Sequence, residues 1–116
     1  MSLRFFGCCL LFLVTLSLHA QKGDWKPLFN GKDLSGWKAV AGNASFAVKD
    51  GVIEGSAVFG TGNTFLITEE LYGDYILEVD LKISHTSSNS GIMTRGQFDP
   101  PGQGGKGLVY GYQVEA

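Results

Sequence analysis

Beyond Cys9 the sequence has no cysteine, and beyond His19 its only histidine is His85. Without its first 20 residues the chain therefore has no disulfide, no thiol nucleophile and no thiolate metal ligand. A multi-histidine site cannot be assembled from what remains. Positive charge is scarce as well. Arg4 is the only charged residue among the first 20, so removing them leaves eight Lys and Arg against 11 Asp and Glu, a net charge of −3. No basic run occurs, which argues against nucleic acid and anionic membrane as partners. Helical periodicity is absent too, and the chain past the leader reads as strands and turns.

The leader itself is MSLRFFGCCLLFLVTLSLHA, with one basic residue, an apolar run from Phe5 to Leu16 and a small residue at Ala20. That is the layout of a secretory signal peptide over residues 1–20, cut between Ala20 and Gln21. It predicts an exported protein, periplasmic or extracellular, with no membrane association after cleavage. The apolar run is shorter than the ~20 residues a membrane span takes, which disfavours a retained anchor. Cys8 and Cys9 lie inside that run rather than after it, which disfavours lipid attachment.

Turn signals punctuate the rest. Asn30-Gly31 and Ser35-Gly36 mark turns near Pro27. SFAVKDGVIEGS predicts a hairpin, with Phe46 and Val48 alternating before Asp50-Gly51 and a restart at Val52-Ile53. The clearest alternation runs from Tyr75 to Ile83. Tyr75, Leu77, Val79, Leu81 and Ile83 fall on one face, and Glu78, Asp80 and Lys82 on the other. GIMTR and LVYGYQVEA supply two more strands, and GQFDPPGQGGKG between them predicts a long exposed loop. Short strands with one apolar face predict antiparallel sheets in a sandwich or barrel. They do not suffice for two sheets, and Ala116 falls in mid-strand. The expectation is that residues 25–116 are the N-terminal portion of a longer domain.

Several motifs fail on their chemistry. Glu78 and Asp80 sit ~7 Å apart along one strand face, within the spread of about 5–9.5 Å used by glycosidase carboxylate pairs. Ile83, however, stands where a β-glucanase strand motif needs its acid/base, and an outward polar face explains the pair. GQGGKG is no phosphate loop, because Gly107 follows Lys106 and no helix start follows. Asn43-Ala44-Ser45 fits the N-glycosylation pattern, which chance supplies often. Trp25 and Trp37 are expected to seal a sandwich edge rather than stack on sugar.

The C-terminal strands carry more. If Tyr110, Tyr112 and Val114 face a core, Gly111, Gln113 and Glu115 face out. In the preceding strand Met93 and Arg95 share the face opposite Ile92 and Thr94. An outward guanidinium near an outward carboxylate and amide makes a polar groove suited to hydroxyl-rich ligands. A plain surface ion pair, worth about 0–1 kcal/mol, is the competing explanation.

PLFNGKDLSGWK (Pro27–Lys38), DGVIEG (Asp50–Gly55), LYGDYILEVDLKI (Leu71–Ile83), NSGIMTRG (Asn89–Gly96) and GYQVEA (Gly111–Ala116) occur in one order. In that order the chain resembles the 3-keto-disaccharide hydrolase domain family. The resemblance implies an all-β, concanavalin-like jelly-roll β-sandwich. It also implies cleavage of the glycosidic bond in 3-keto-glycosides and 3-keto-disaccharides, small-molecule sugars already oxidised at C3. Many members read G-Y-E-V-Q where this chain has Gly111-Tyr112-Gln113-Val114-Glu115, so acid and amide have traded places. The roles implied are Glu115 as base or metal ligand, Arg95 near the developing oxyanion, and Gln113, Met93 and His85 around the substrate. Some members use a divalent metal ion as electrophile, and no metal ligand set is specified for this chain. The same sandwich also serves as a non-catalytic carbohydrate-binding module, and fold alone does not decide between them.

Overall fold

A computed structural model describes residues 23–85, 88–102 and 104–116; the expected signal peptide lies outside them. Six strands are present: β1 (Trp37–Ala41), β2 (Ser45–Lys49), β3 (Val52–Ser56), β4 (Thr64–Thr68), β5 (Gly91–Asp99) and β6 (Leu108–Glu115). They form three antiparallel pairs, β1 with β4, β2 with β3 and β5 with β6. No helix occurs among the described residues. The architecture is all-β and antiparallel, consistent with the jelly-roll-like class expected.

Local chemistry explains the tightest pair. Asp50 and Gly51 both take positive φ, 50° and 75°, the combination that matches the twist of a two-residue hairpin. β2 and β3 then align Phe46 with Gly55 and Val48 with Ile53. A Cβ on Gly55 would lie 3.1 Å from the Phe46 ring, so the ring covers the space a side chain would fill. β1 and β4 are joined less locally. At their end Gly42 donates to the Asn63 carbonyl at 3.0 Å. Any Cβ on Gly42 would press on that carbonyl at 2.7 Å, so glycine is required there.

Val40 on β1 is the one buried hydrophobic residue among those described, at 5 % exposure. It lines a shallow cleft with Phe98, Pro100 and Pro101, where β1 comes close to the β5–β6 pair. The packed interior therefore lies between the β1–β4 pair and the loop end of β5–β6.

Four expectations require correction. Tyr75–Ile83 is not a strand, since no ladder bonds it to another described segment. Its apolar residues are open to solvent, with Tyr75 at 44 % and Val79 at 53 % exposure. Alternation states which face would be apolar; a strand also needs a neighbour to satisfy its backbone groups. Secondly, Tyr110, Tyr112 and Val114 do not face a core. They are exposed, because nothing described covers that side of β6. Thirdly, the connector after Arg95 is shorter than expected. The ladder resumes beyond a bulge, pairing Gln97 with Tyr110 and Asp99 with Leu108, and Asp99 Oδ2 accepts from the Lys106 amide at 2.9 Å. Of the two tryptophans, Trp37 is half-buried and Trp25 is exposed rather than sealed into an edge.

Candidate functional site

β5 and β6 carry the candidate residues, and their register decides which of them meet. Gly91 stands opposite Glu115, and Met93 opposite Gln113. Directly opposed residues project from the same face, so Met93, Gln113 and Glu115 share one wall. The period of two along β6 brings Gln113 Nε2 to Glu115 Oε1, which it donates to at 3.0 Å. Gln113 also leans across Gly91, where a Cβ would come within 3.0 Å of its Nε2 and collide with the Val114 carbonyl. Glycine at position 91 leaves that space to the amide. The Ala116 amide donates to the Ser90 carbonyl at 2.9 Å and closes this end of the pair.

Arg95 is held differently. The ladder skips from Thr94 to Gln97, and Arg95 lies in the bulge with φ 51°. A bulge re-aims the side chain it carries, and a left-handed arginine is a strained conformation of the kind that recurs at ligand sites. The guanidinium turns to Asp74, with Nη2 donating to Oδ1 at 2.8 Å. Both side chains are largely exposed, so the pair contributes ~1 kcal/mol or less. The expected neighbour of Arg95 was the carboxylate of Glu115, and Asp74 takes that position instead. Asp74 precedes the Tyr75–Ile83 alternation in step with its polar face, and that pattern gave no sign that it would meet a residue 21 positions away.

His85 is exposed in a bend, and its carbonyl accepts from the Ser88 amide at 3.0 Å. No hydrogen bond or ion pair among the described residues joins its ring to Arg95, Gln113 or Glu115. The structure thus gathers Met93, Gln113 and Glu115, places Arg95 on the adjoining bulge, and leaves His85 apart.

This polar wall on an all-β domain suits hydroxyl-rich ligands, and residues 24–116 match the 3-keto-alpha-glucoside-1,2-lyase-like domain family. The chain belongs to that family. No curated protein and no solved structure matches it. The family's description points to sugar chemistry, and Arg95, Gln113 and Glu115 lie on one strand pair of the matched region.

The metal that the resemblance implies for some members can be tested against the donors present. Around Glu115 they are one carboxylate and one amide oxygen, and no group of three His, Cys, Asp or Glu able to hold an ion occurs among the described residues. A hard divalent cation takes about six or more oxygen ligands. Two donors fall short of such a set, so these residues by themselves do not fit a metal ion.

Proposed function

We propose that this 3-keto-alpha-glucoside-1,2-lyase-like domain cleaves the glycosidic bond of 3-keto-glycosides by elimination followed by hydration. A ketone at C3 acidifies the C2 hydrogen. In the proposed first step Glu115 takes that proton, and the C–H electron pair forms the enolate of C2 and C3. The enolate then collapses, the C1–O bond breaks, and the substituent leaves with its oxygen, which takes up the proton that Glu115 gives back. Water adding across the new C1–C2 double bond completes a net hydrolysis. Gln113, bonded to Glu115 at 3.0 Å, holds the carboxylate in one orientation, and its amide oxygen remains for a sugar hydroxyl. The Arg95 guanidinium is assigned to the enolate oxygen, where developing negative charge is worth most to a fixed cation. Met93, opposite Gln113, is assigned to a flanking contact with the sugar, and His85, apart from the wall, is given no role. The protein is proposed to act after export, in the periplasm or outside the cell, on a small-molecule sugar.

The family match over residues 24–116 carries this reading. Its test is aglycone release from a 3-keto-glucoside and from the unoxidised parent, each with and without chelator. Release from the keto sugar alone is expected. Glu115→Gln should lower turnover by about 10²–10⁴, the usual contribution of a general base, with little change in keto-sugar binding. Binding without release by the wild-type protein would leave a non-catalytic carbohydrate-binding module in place of the enzyme.

A further inference from the structure

A second cluster lies outside the β5–β6 wall, where the segment before β1 meets the residues after β4. Lys26 Nζ bonds Glu70 Oε2 at 2.6 Å, and the Tyr72 hydroxyl donates to the same oxygen at 2.9 Å. The ammonium also stands 5.5 Å from the Tyr72 ring centre, and Tyr75 meets that ring edge-on at 6.4 Å. These groups border a cleft of about 290 Å³, whose lining includes the apolar Pro27 and Phe29 and the polar Ser35 and Glu70. Beside it, the Trp37 indole Nε1 donates to the Leu28 carbonyl at 3.0 Å.

From this cleft the geometry points to a second saccharide-binding site, one that takes a single neutral pyranose ring through the Lys26–Glu70–Tyr72 cluster. Size is the first reason. The cleft sits at the lower edge of the roughly 300–1,000 Å³ usual for small-molecule sites, which suits one ring rather than a chain. Charge is the second. The ammonium and carboxylate offset each other, so neither an anion nor a cation is favoured over a neutral polyol. Unused hydrogen-bonding capacity is the third. Among the described residues Glu70 Oε1 has no hydrogen-bond partner, and Lys26 has further N–H donors to give. A carboxylate beside an ammonium and two hydroxyls presents acceptors and donors to adjacent sugar hydroxyls, while Pro27 and Phe29 meet the ring's C–H face. The Glu70 bond holds the Lys26 ammonium above its ordinary pKa. Bonds from Lys26 and Tyr72 hold Glu70 below its own, so both stay charged at neutral pH. The site does not depend on the elimination chemistry and stands even for a domain that does not turn over.

Trp37 serves as a reporter for the test, which uses the full exported chain, an unoxidised glucose disaccharide as probe and glycerol as control. A saturable change in tryptophan fluorescence is expected with the disaccharide alone, with backbone amide shifts at Asn30, Ser35, Gly36 and Glu70. Glu70→Ala should weaken it at least tenfold. Glu70→Gln, which keeps the side chain's size and loses its charge, should weaken it severalfold, so a poorly folding Glu70→Ala variant does not decide the matter. Glu115→Gln should bind normally here. No saturable response, an equal response to glycerol, shifts confined to Gly91–Glu115, or indifference to both cleft substitutions would each overturn the site.

Discussion

Two stretches of this protein carry the same period-two pattern and end differently. In Ser45–Ser56 Phe46 and Val48 alternate before Asp50-Gly51, Val52-Ile53 restart the strand after it, and the stretch forms the β2–β3 hairpin. In Tyr75–Ile83 the alternation is longer and cleaner, yet the segment pairs with nothing described. The hairpin encodes its partner within its own sequence, because two residues at positive φ fold the chain back onto itself. The longer segment has no such turn beside it. Its partner must come from a distant part of a chain, and a face pattern does not name that part. An amphipathic pattern therefore specifies a surface, and a turn specifies a pairing.

The comparison breaks most visibly in hydrogen exchange. Amides of β2 and β3 that donate across the ladder should exchange slowly, and those of Tyr75–Ile83 near the unfolded rate; comparable protection in the two would refute the contrast. In stability the largest change should come from the turn. Gly51→Val forces a β-branched residue to φ 75°, where its Cβ would meet only the Gly31 carbonyl at an ordinary 3.9 Å, so backbone strain should cost about 1–3 kcal/mol in urea unfolding. Val40→Ala comes next. It removes two methyl groups from the one buried hydrophobic position described, a loss of about 2 kcal/mol. Leu77→Ser tests the other member of the comparison. The segment is unpaired, so the unfolding midpoint should hold to within ~0.5 kcal/mol; a larger loss would mean that Tyr75–Ile83 is paired in solution.

The smallest effect should be seen in pH. Asp33 is held at about 2, below the usual 3.8, by hydrogen bonding with Ser35 and then Asn30. A carboxylate depressed by folding adds stability above the unfolded pKa and loses it as pH falls through the folded one. The wild-type protein should therefore lose slightly more stability than Asp33→Asn as pH drops from about 4 to about 2. Asp33 is fully exposed, which keeps the difference small.

Much of the candidate wall was legible in sequence. Gln113 and Glu115 are two apart on a strand, and that spacing puts them on one face; their long side chains then meet at 3.0 Å. Arg95 was only half legible. Its parity matched Met93, but the bulge at Thr94/Gln97 interrupts parity, and Asp74 rather than Glu115 receives the guanidinium. His85 gave no signal beyond its residue type, and it stands apart from the wall. The Lys26–Glu70 pair was invisible, since its members are 44 positions apart and neither sits in a recognisable motif.

By itself the sequence determined the strand class, the Asp50-Gly51 hairpin and the shared face of Gln113 and Glu115. These rest on φ preferences and a two-residue repeat, which act over a few neighbouring positions. Only the tertiary structure decided that β1 joins β4, that Arg95 turns to Asp74 and that Lys26 meets Glu70. Each of those contacts closes a loop of about 20 residues or more. Many alternative closures carry similar entropy costs, so the outcome depends on which surfaces fit once the strands have formed.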